Sequence, residues 1–163
     1  MKGLLKWSLL VVVLVLVQTS LLPQFLIAPY KPDLLLVLMV FLALRSPFAT
    51  SLPAAYGLGL LKDCLSGLYL GLNALSFLLV YLVLKLLSDR LYVHNSFLLV
   101  LTVAASTVGT MLINTLLLII FSQAPGIVTS ALGALVPHLL MNAFAASLVS
   151  FFPRFSLTGS NTP

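Results

Sequence analysis

The stretch Gly57–Phe77 reads GLGLLKDCLSGLYLGLNALSF, and the rest of the chain is organised around it. It places three strongly polar side chains, Lys62, Asp63 and Asn73, in an otherwise apolar sequence. Four glycines accompany them: Gly57, Gly59, Gly67 and Gly71. An ionisable group at membrane depth is costly, so these polar residues are candidates for function. The alternative is a short turn between two membrane spans, with Lys62 and Asp63 reaching into the lipid headgroups.

The composition indicates an integral membrane protein. Of the 163 residues, 61 % are hydrophobic and only 7 % are charged, whereas about a quarter are charged in a typical soluble domain. No segment outside the apolar runs is long enough to form a further domain. In a soluble protein the net charge of +5 would suggest a nucleic-acid partner. In a membrane protein it is explained by basic residues that orient the chain against an anionic inner leaflet, so we expect no nucleic-acid partner. Cys64 is the only cysteine, which excludes an internal disulfide and a cysteine-based metal site.

The apolar runs predict an all-α integral membrane protein with six transmembrane helices, forming a single domain over residues 1–155. The spans are expected at about 4–22, 33–46, 48–63, 70–88, 97–121 and 128–152, followed by a short polar cytoplasmic tail at 156–163. The N-terminus resembles a signal peptide, but Gln18-Thr19-Ser20 is not a small-x-small cleavage site, so we expect an uncleaved first span.

Spans 2 and 3 leave two alternatives open. The uninterrupted apolar run Leu34–Leu44 and the segment 48–61, which contains Pro53 and two glycines, are short, and at 1.5 Å per residue they reach only ~17–21 Å. Either flanking residues extend them across the membrane or the pair forms a re-entrant hairpin. Ser51 is expected to cap the first turn of span 3. Before span 2, the prolines predict a loop from Gln24 to Lys31.

The distribution of basic residues favours six spans with both termini in the cytoplasm. The positive-inside rule counts Lys and Arg on each side of the membrane. Six spans place six basic residues inside and two outside, whereas fusing spans 2 and 3 buries Arg45 and leaves three inside against four outside. The six inside are Lys2, Lys6, Arg45, Lys85, Arg90 and Arg154, and the two outside are Lys31 and Lys62.

Polar residues within or beside the spans are the candidates for a pocket or a partner site. Asp63 and Asn73 lie at the outer edge where span 3 passes to span 4, and His138 and Asn142 share one face of span 6 because they are four residues apart. Together such residues could line a cavity that opens outward, or they could only make interhelical hydrogen bonds of ~0.6 kcal/mol each. The full set is Asp33, Asp63, Asn73, Asn114, His138 and Asn142.

The residues do not predict an enzyme. A nucleophile needs an activating base, and metal-assisted hydrolysis needs several His or carboxylate ligands. The chain has three acidic residues and two histidines, and the predicted topology keeps the histidines far apart. We therefore expect no catalytic residues, no metal site and no cofactor.

Two motifs resemble the bacterial rod shape-determining protein family MreD. They are Pro32-Asp33-Leu34-Leu35-Leu36, with the run ending in Arg45, and the glycine-rich segment 57–76 with Gly57-x-Gly59, Asp63 and Gly71-Leu72-Asn73-Ala74-Leu75-Ser76. The resemblance covers nearly the whole chain in length and motif order and is weak in spans 1, 5 and 6. Lys62 has no place in the family pattern and leaves the charge environment of Asp63 open.

The resemblance implies a multi-pass subunit of the bacterial inner membrane that belongs to the cell-elongation machinery for lateral peptidoglycan. Its implied partners are MreC, the MreB filament and cell-wall synthases, directly or indirectly, besides membrane lipid, and a homo-oligomer stays open. The family is also similar in architecture to the substrate-binding subunits of energy-coupling-factor vitamin transporters. A transport subunit is therefore the alternative function, although span 1 is rich in Leu and Val and lacks the Ala-rich stripe of a coupling surface.

Overall fold

The structure is a computed structural model that describes residues 2–27, 30–67, 70–88, 96–121 and 126–151. All regular structure in these ranges is helical. The expected tail at 156–163, together with Asp89, Arg90 and Arg154, lies outside the described residues. In chain order the elements are α1 (Lys2–Leu16), a π turn (Val17–Leu21), α2 (Leu22–Phe25), α3 (Leu34–Arg45), α4 (Phe48–Ser66), α5 (Leu72–Ser88), α6 (Ser96–Phe121) and α7 (Ile127–Phe151).

Helix occupies each of the six segments in which a span is expected, but the first differs from the prediction. The helical path continues to Phe25 through the π turn and α2, so that Pro23 lies near the start of α2 instead of opening a loop. Pro23 has no N–H group, so it donates no hydrogen bond to the π turn that precedes it. The helical path therefore extends into the first two residues of the expected loop, Gln24 and Phe25.

The described helices differ in length and in apolar character. Within α6 and α7, Phe97–Phe121 and Ile127–Ser150 are long and apolar enough to cross a membrane. Among the described residues, Leu9–Phe25, Leu34–Arg45 and Leu72–Leu87 are shorter apolar helices. The 12 residues of α3 extend only ~18 Å at 1.5 Å per residue.

Helix α3, 12 residues long, is the centre of the structure. It packs against α1, α4, α5, α6 and α7, and its side chains from Leu35 to Val40 are all buried. A helix that is apolar on every side must be buried, and the sequence Leu34–Leu44 satisfies that pattern. The surrounding helices therefore pack around α3.

Helices α4 and α5 form a tight hairpin. Gly59 lies against the backbone of α5, since a Cβ built on it would come within 2.5 Å of Ala74 Cα and 2.9 Å of the Asn73 carbonyl oxygen. Gly67 ends α4 with φ +64 in the left-handed conformation, which glycine adopts without a steric penalty. This turn places the end of α4 beside the start of α5.

The other end of this hairpin is fixed by a buried hydroxyl pair and a lysine. Ser51 Oγ donates to the carbonyl oxygen of Pro47 at 2.9 Å and lies 2.6 Å from the Tyr81 hydroxyl. The expectation that Ser51 caps the first turn of α4 is therefore wrong, because its hydroxyl bonds a preceding carbonyl and not an orphan N–H group. Lys85 Nζ donates to the carbonyl oxygens of Ala43 and Ser46 at the C-terminal end of α3, as basic side chains at helix ends do.

Candidate functional site

Asp63 lies near the C-terminal end of α4 and receives four hydrogen bonds from the start of α5. Its Oδ2 accepts from the backbone N–H groups of Gly71 and Ala74 at 2.9 and 3.0 Å. Its Oδ1 accepts from the backbone N–H and the side-chain amide of Asn73 at 2.9 and 3.0 Å. The side chain is 1 % exposed. We call Asp63 with these donors the Asp63 clamp.

The clamp forms because its backbone donors lie at the start of a new helix, α5. The first N–H groups of a helix have no intrahelical acceptor, and the N-terminus carries a partial positive charge, so a carboxylate there is stabilised. Gly71 has φ +96, a conformation that suits glycine, and its N–H points at Asp63. The donors are thus at positions 71, 73 and 74, not in the turn at Ser66–Gly67, where Gly67 N–H and Ser66 Oγ instead donate to the Asp63 carbonyl oxygen.

Two further side chains extend the clamp to α6. The Asn114 amide donates to Asn73 Oδ1 at 3.2 Å, and Ser76 Oγ bonds both Asn114 Oδ1 and the Leu72 carbonyl oxygen. The extended network therefore joins α4, α5 and α6 through buried or half-buried groups.

A second network surrounds the N-terminus of α3. Asp33 caps this helix, with Oδ1 accepting from Leu36 N–H at 3.2 Å, and its Oδ2 forms an ion pair with Lys62 Nζ. Its own N–H donates to Asn142 Oδ1 at 2.6 Å. One residue thus joins α3 to α4 and to α7.

Additional groups complete the Asp33 network. Asn142 also donates from its amide to Thr107 Oγ1 on α6 at 3.0 Å, and His138 is close enough to interact electrostatically with Asp33 and Lys62. On the other side, Leu35 N–H donates to Gln18 Oε1 in the π turn at 3.3 Å. Such turns commonly occur at functional positions. This one places the Gln18 side chain beside an N–H group of α3 that has no partner within its own helix.

The structure therefore divides the six candidate residues into two networks. Asp63, Asn73 and Asn114 lie in the first, whereas Asp33, His138 and Asn142 lie in the second. The consecutive residues Lys62 and Asp63 connect the two, because Lys62 reaches α3 while Asp63 holds α5.

Sequence reasoning did not identify three of the residues that take part in the two networks. Two of them, Gln18 and Ser76, could have been recognised because each is a polar residue in an apolar span, yet no hydrogen bond was predicted for either. Thr107 carried none, because threonine hydroxyl groups are common in membrane helices and usually bond their own backbone. For example, Thr107 Oγ1 also donates to the Val103 carbonyl oxygen.

The chemistry of both networks is that of satisfied, fixed polar groups. Buried side-chain polar atoms of the described residues all have a hydrogen-bond partner, and within the same ranges no three His, Cys, Asp or Glu side chains are grouped so that they could hold a metal ion. The Asp63 carboxylate has its acceptor sites taken by N–H groups. This arrangement suits the positioning of helices.

Comparison with known proteins gives the identity of the chain. The family model for rod shape-determining protein MreD matches residues 1–157. No curated protein and no solved structure matches the chain, so the expected similarity to energy-coupling-factor subunits has no support from known structures. Since the match covers nearly the whole sequence, the chain belongs to the MreD family of rod shape-determining proteins.

Proposed function

We propose that this protein is a non-enzymatic inner-membrane subunit of the cell-elongation complex and helps MreC to organise lateral peptidoglycan synthesis. The match to the MreD family over residues 1–157 supports a role in rod shape. The satisfied polar networks support a role in positioning other proteins. MreB and the cell-wall synthases are the further partners in this proposal.

The proposed arrangement in the membrane has six spans and both termini in the cytoplasm. It is supported by the excess of basic residues that this topology places inside. It puts the junction of α4 and α5, with the Asp63 clamp, at the outer surface. Cys64, which is exposed beside this junction, then faces the outside.

The proposed docking site for MreC is the outer rim formed by the α4–α5 junction. The single observation that carries this proposal is the Asp63 clamp, because four hydrogen bonds on one buried carboxylate fix the end of α4 against the start of α5. A fixed surface loses less conformational entropy when a partner binds. Loosening the clamp should therefore weaken MreC binding.

The test is recovery of MreC with the purified protein in mild detergent, followed by mass spectrometry. Asp63→Ala should lower the recovery of MreC relative to the wild type, when variant and wild type are present at equal levels in the membrane. The matched control is Ser51→Ala, since Ser51 is equally buried on the same helix but lies at its opposite end. Equal recovery of MreC with both variants would refute the rim as the docking site, and recovery of an ATPase motor in place of MreC would favour the transport alternative.

A further inference from the structure

The ion pair of Asp33 and Lys62 lies at a depth well inside the long helix α7. The Asp33 N–H group donates to Asn142, which is 15 residues from one end of the apolar span Ile127–Ser150 and eight from the other. At 1.5 Å per residue these distances are ~22 Å and ~12 Å. The whole span is ~36 Å long and exceeds a hydrocarbon core of ~30 Å by only ~6 Å. In the proposed membrane arrangement the pair is therefore inside the hydrocarbon layer, whichever end of α7 projects from it.

The protein does not enclose this ion pair completely. The Lys62 side chain is 24 % exposed and that of Asp33 is 12 % exposed. At this depth the uncovered surface borders either lipid or water. Ionisable residues inside a membrane face the interior of the helix bundle or a water-filled cavity, because contact with lipid is costly. The exposure of the pair therefore favours water as its neighbour.

The outer halves of α6 and α7 leave room for water to reach the pair. Residues 111–121 of α6 and 127–141 of α7 are all exposed or half-buried. Burial in α6 ends at Thr110, and burial in α7 begins only at Asn142. These two positions are close to one level, because Asn142 donates to Thr107, one turn from Thr110. Beyond that level, on the side where α6 ends and α7 begins, the bundle is not closely packed.

We propose that an aqueous recess opens on the outer side of the protein and reaches the Asp33–Lys62 pair, so that water and small hydrophilic solutes contact these charges at membrane depth. The outer side is assigned by the proposed topology, on which this inference rests, because that topology places the end of α6 and the start of α7 outside. His138 lines the recess, since it is half-buried one turn outward from Asn142 and interacts electrostatically with both charges. Hydration lowers the desolvation cost of keeping an ion pair inside the membrane.

Cysteine accessibility in right-side-out membrane vesicles tests the recess. Each variant also carries Cys64→Ser, so that the introduced cysteine is the only one. His138→Cys should react with a small, cationic, membrane-impermeant thiol reagent added outside, because water lets the thiol ionise to the reactive thiolate. The matched control is Leu140→Cys, two residues further along α7 and 61 % exposed. It should not react, because apolar surroundings keep the thiol protonated and lipid excludes the reagent.

Access to water, and not exposure of the side chain, should therefore decide which cysteine reacts. No reaction at His138→Cys would overturn the proposal, and so would equal rates at His138→Cys and Leu140→Cys. Reaction of His138→Cys only from the cytoplasmic side, with wild-type Cys64 labelled from outside, would also overturn it. The labelling does not involve MreC, so its failure leaves the proposed function standing.

A second variant decides the matter if His138→Cys does not fold by circular dichroism. Asp33→Asn/Lys62→Cys places the thiol at the floor of the recess and removes both charges together, so that no buried charge stays unpaired. Asparagine still caps α3. We expect this cysteine to react from outside as well, and its failure to react in the folded protein would overturn the proposal.

Discussion

Replacing Asp63 by asparagine should destabilise the protein strongly, although the side chain keeps its size. The carboxylate accepts four hydrogen bonds, two on each oxygen. An amide has one acceptor oxygen and one NH₂ group, which cannot accept. If the amide oxygen keeps both bonds from Asn73, the N–H groups of Gly71 and Ala74 face another donor.

The expected loss follows from these two donors, of which Ala74 is buried and Gly71 is half-buried. A fully buried donor without an acceptor costs about 1–3 kcal/mol, so the two together cost at most about 6 kcal/mol. Loss of the negative charge at the start of α5 adds to this cost. The sum is a large fraction of the roughly 5–15 kcal/mol by which folded domains are stable.

The free energy of unfolding can be measured in mixed micelles by denaturation with sodium dodecyl sulfate, monitored by circular dichroism. The control is Ser66→Ala, because among the described residues Ser66 Oγ hydrogen-bonds only to the backbone carbonyl of Asp63 and the side chain is exposed. We expect that variant to lose no more than about 1 kcal/mol. An Asp63→Asn variant within about 0.5 kcal/mol of the wild type, the range of ordinary surface substitutions, would refute the clamp.

Three other predictions concern packing, topology and function. Gly59→Ala should destabilise the α4–α5 hairpin by about 1–3 kcal/mol in the same unfolding assay, because its Cβ would collide with the Ala74 backbone, whereas Gly57→Ala, with nothing within 4 Å of its Cβ, should not. A membrane-impermeant thiol reagent added outside spheroplasts should label Cys64, but should not label Ser160→Cys, and labelling at residue 160 would contradict cytoplasmic termini. Loss of the protein in a rod-shaped host should give round, widened cells with normal vitamin uptake by microscopy and uptake assays; normal shape with a vitamin requirement would point to transport.

The sequence alone was sufficient for the helices and for the position of the Asp63 site along the chain. Apolar runs bounded by glycine, proline and charged residues specify helices locally, because every backbone hydrogen bond of a helix joins residues of the same segment. The glycines at 67 and 71 marked the break between α4 and α5, and both have positive φ. A lone carboxylate beside that break could be recognised as a candidate without any knowledge of tertiary contacts.

Only the tertiary structure decided which polar groups meet. The partners of Asp33 are 29 and 109 residues away in the sequence, at Lys62 and Asn142, and their meeting depends on the rotation and depth of each helix. In an almost uniformly apolar chain, hydrophobic periodicity gives little information about that rotation. The tertiary structure therefore separated the candidates into two networks and brought in Gln18 through a π turn that no local pattern had predicted.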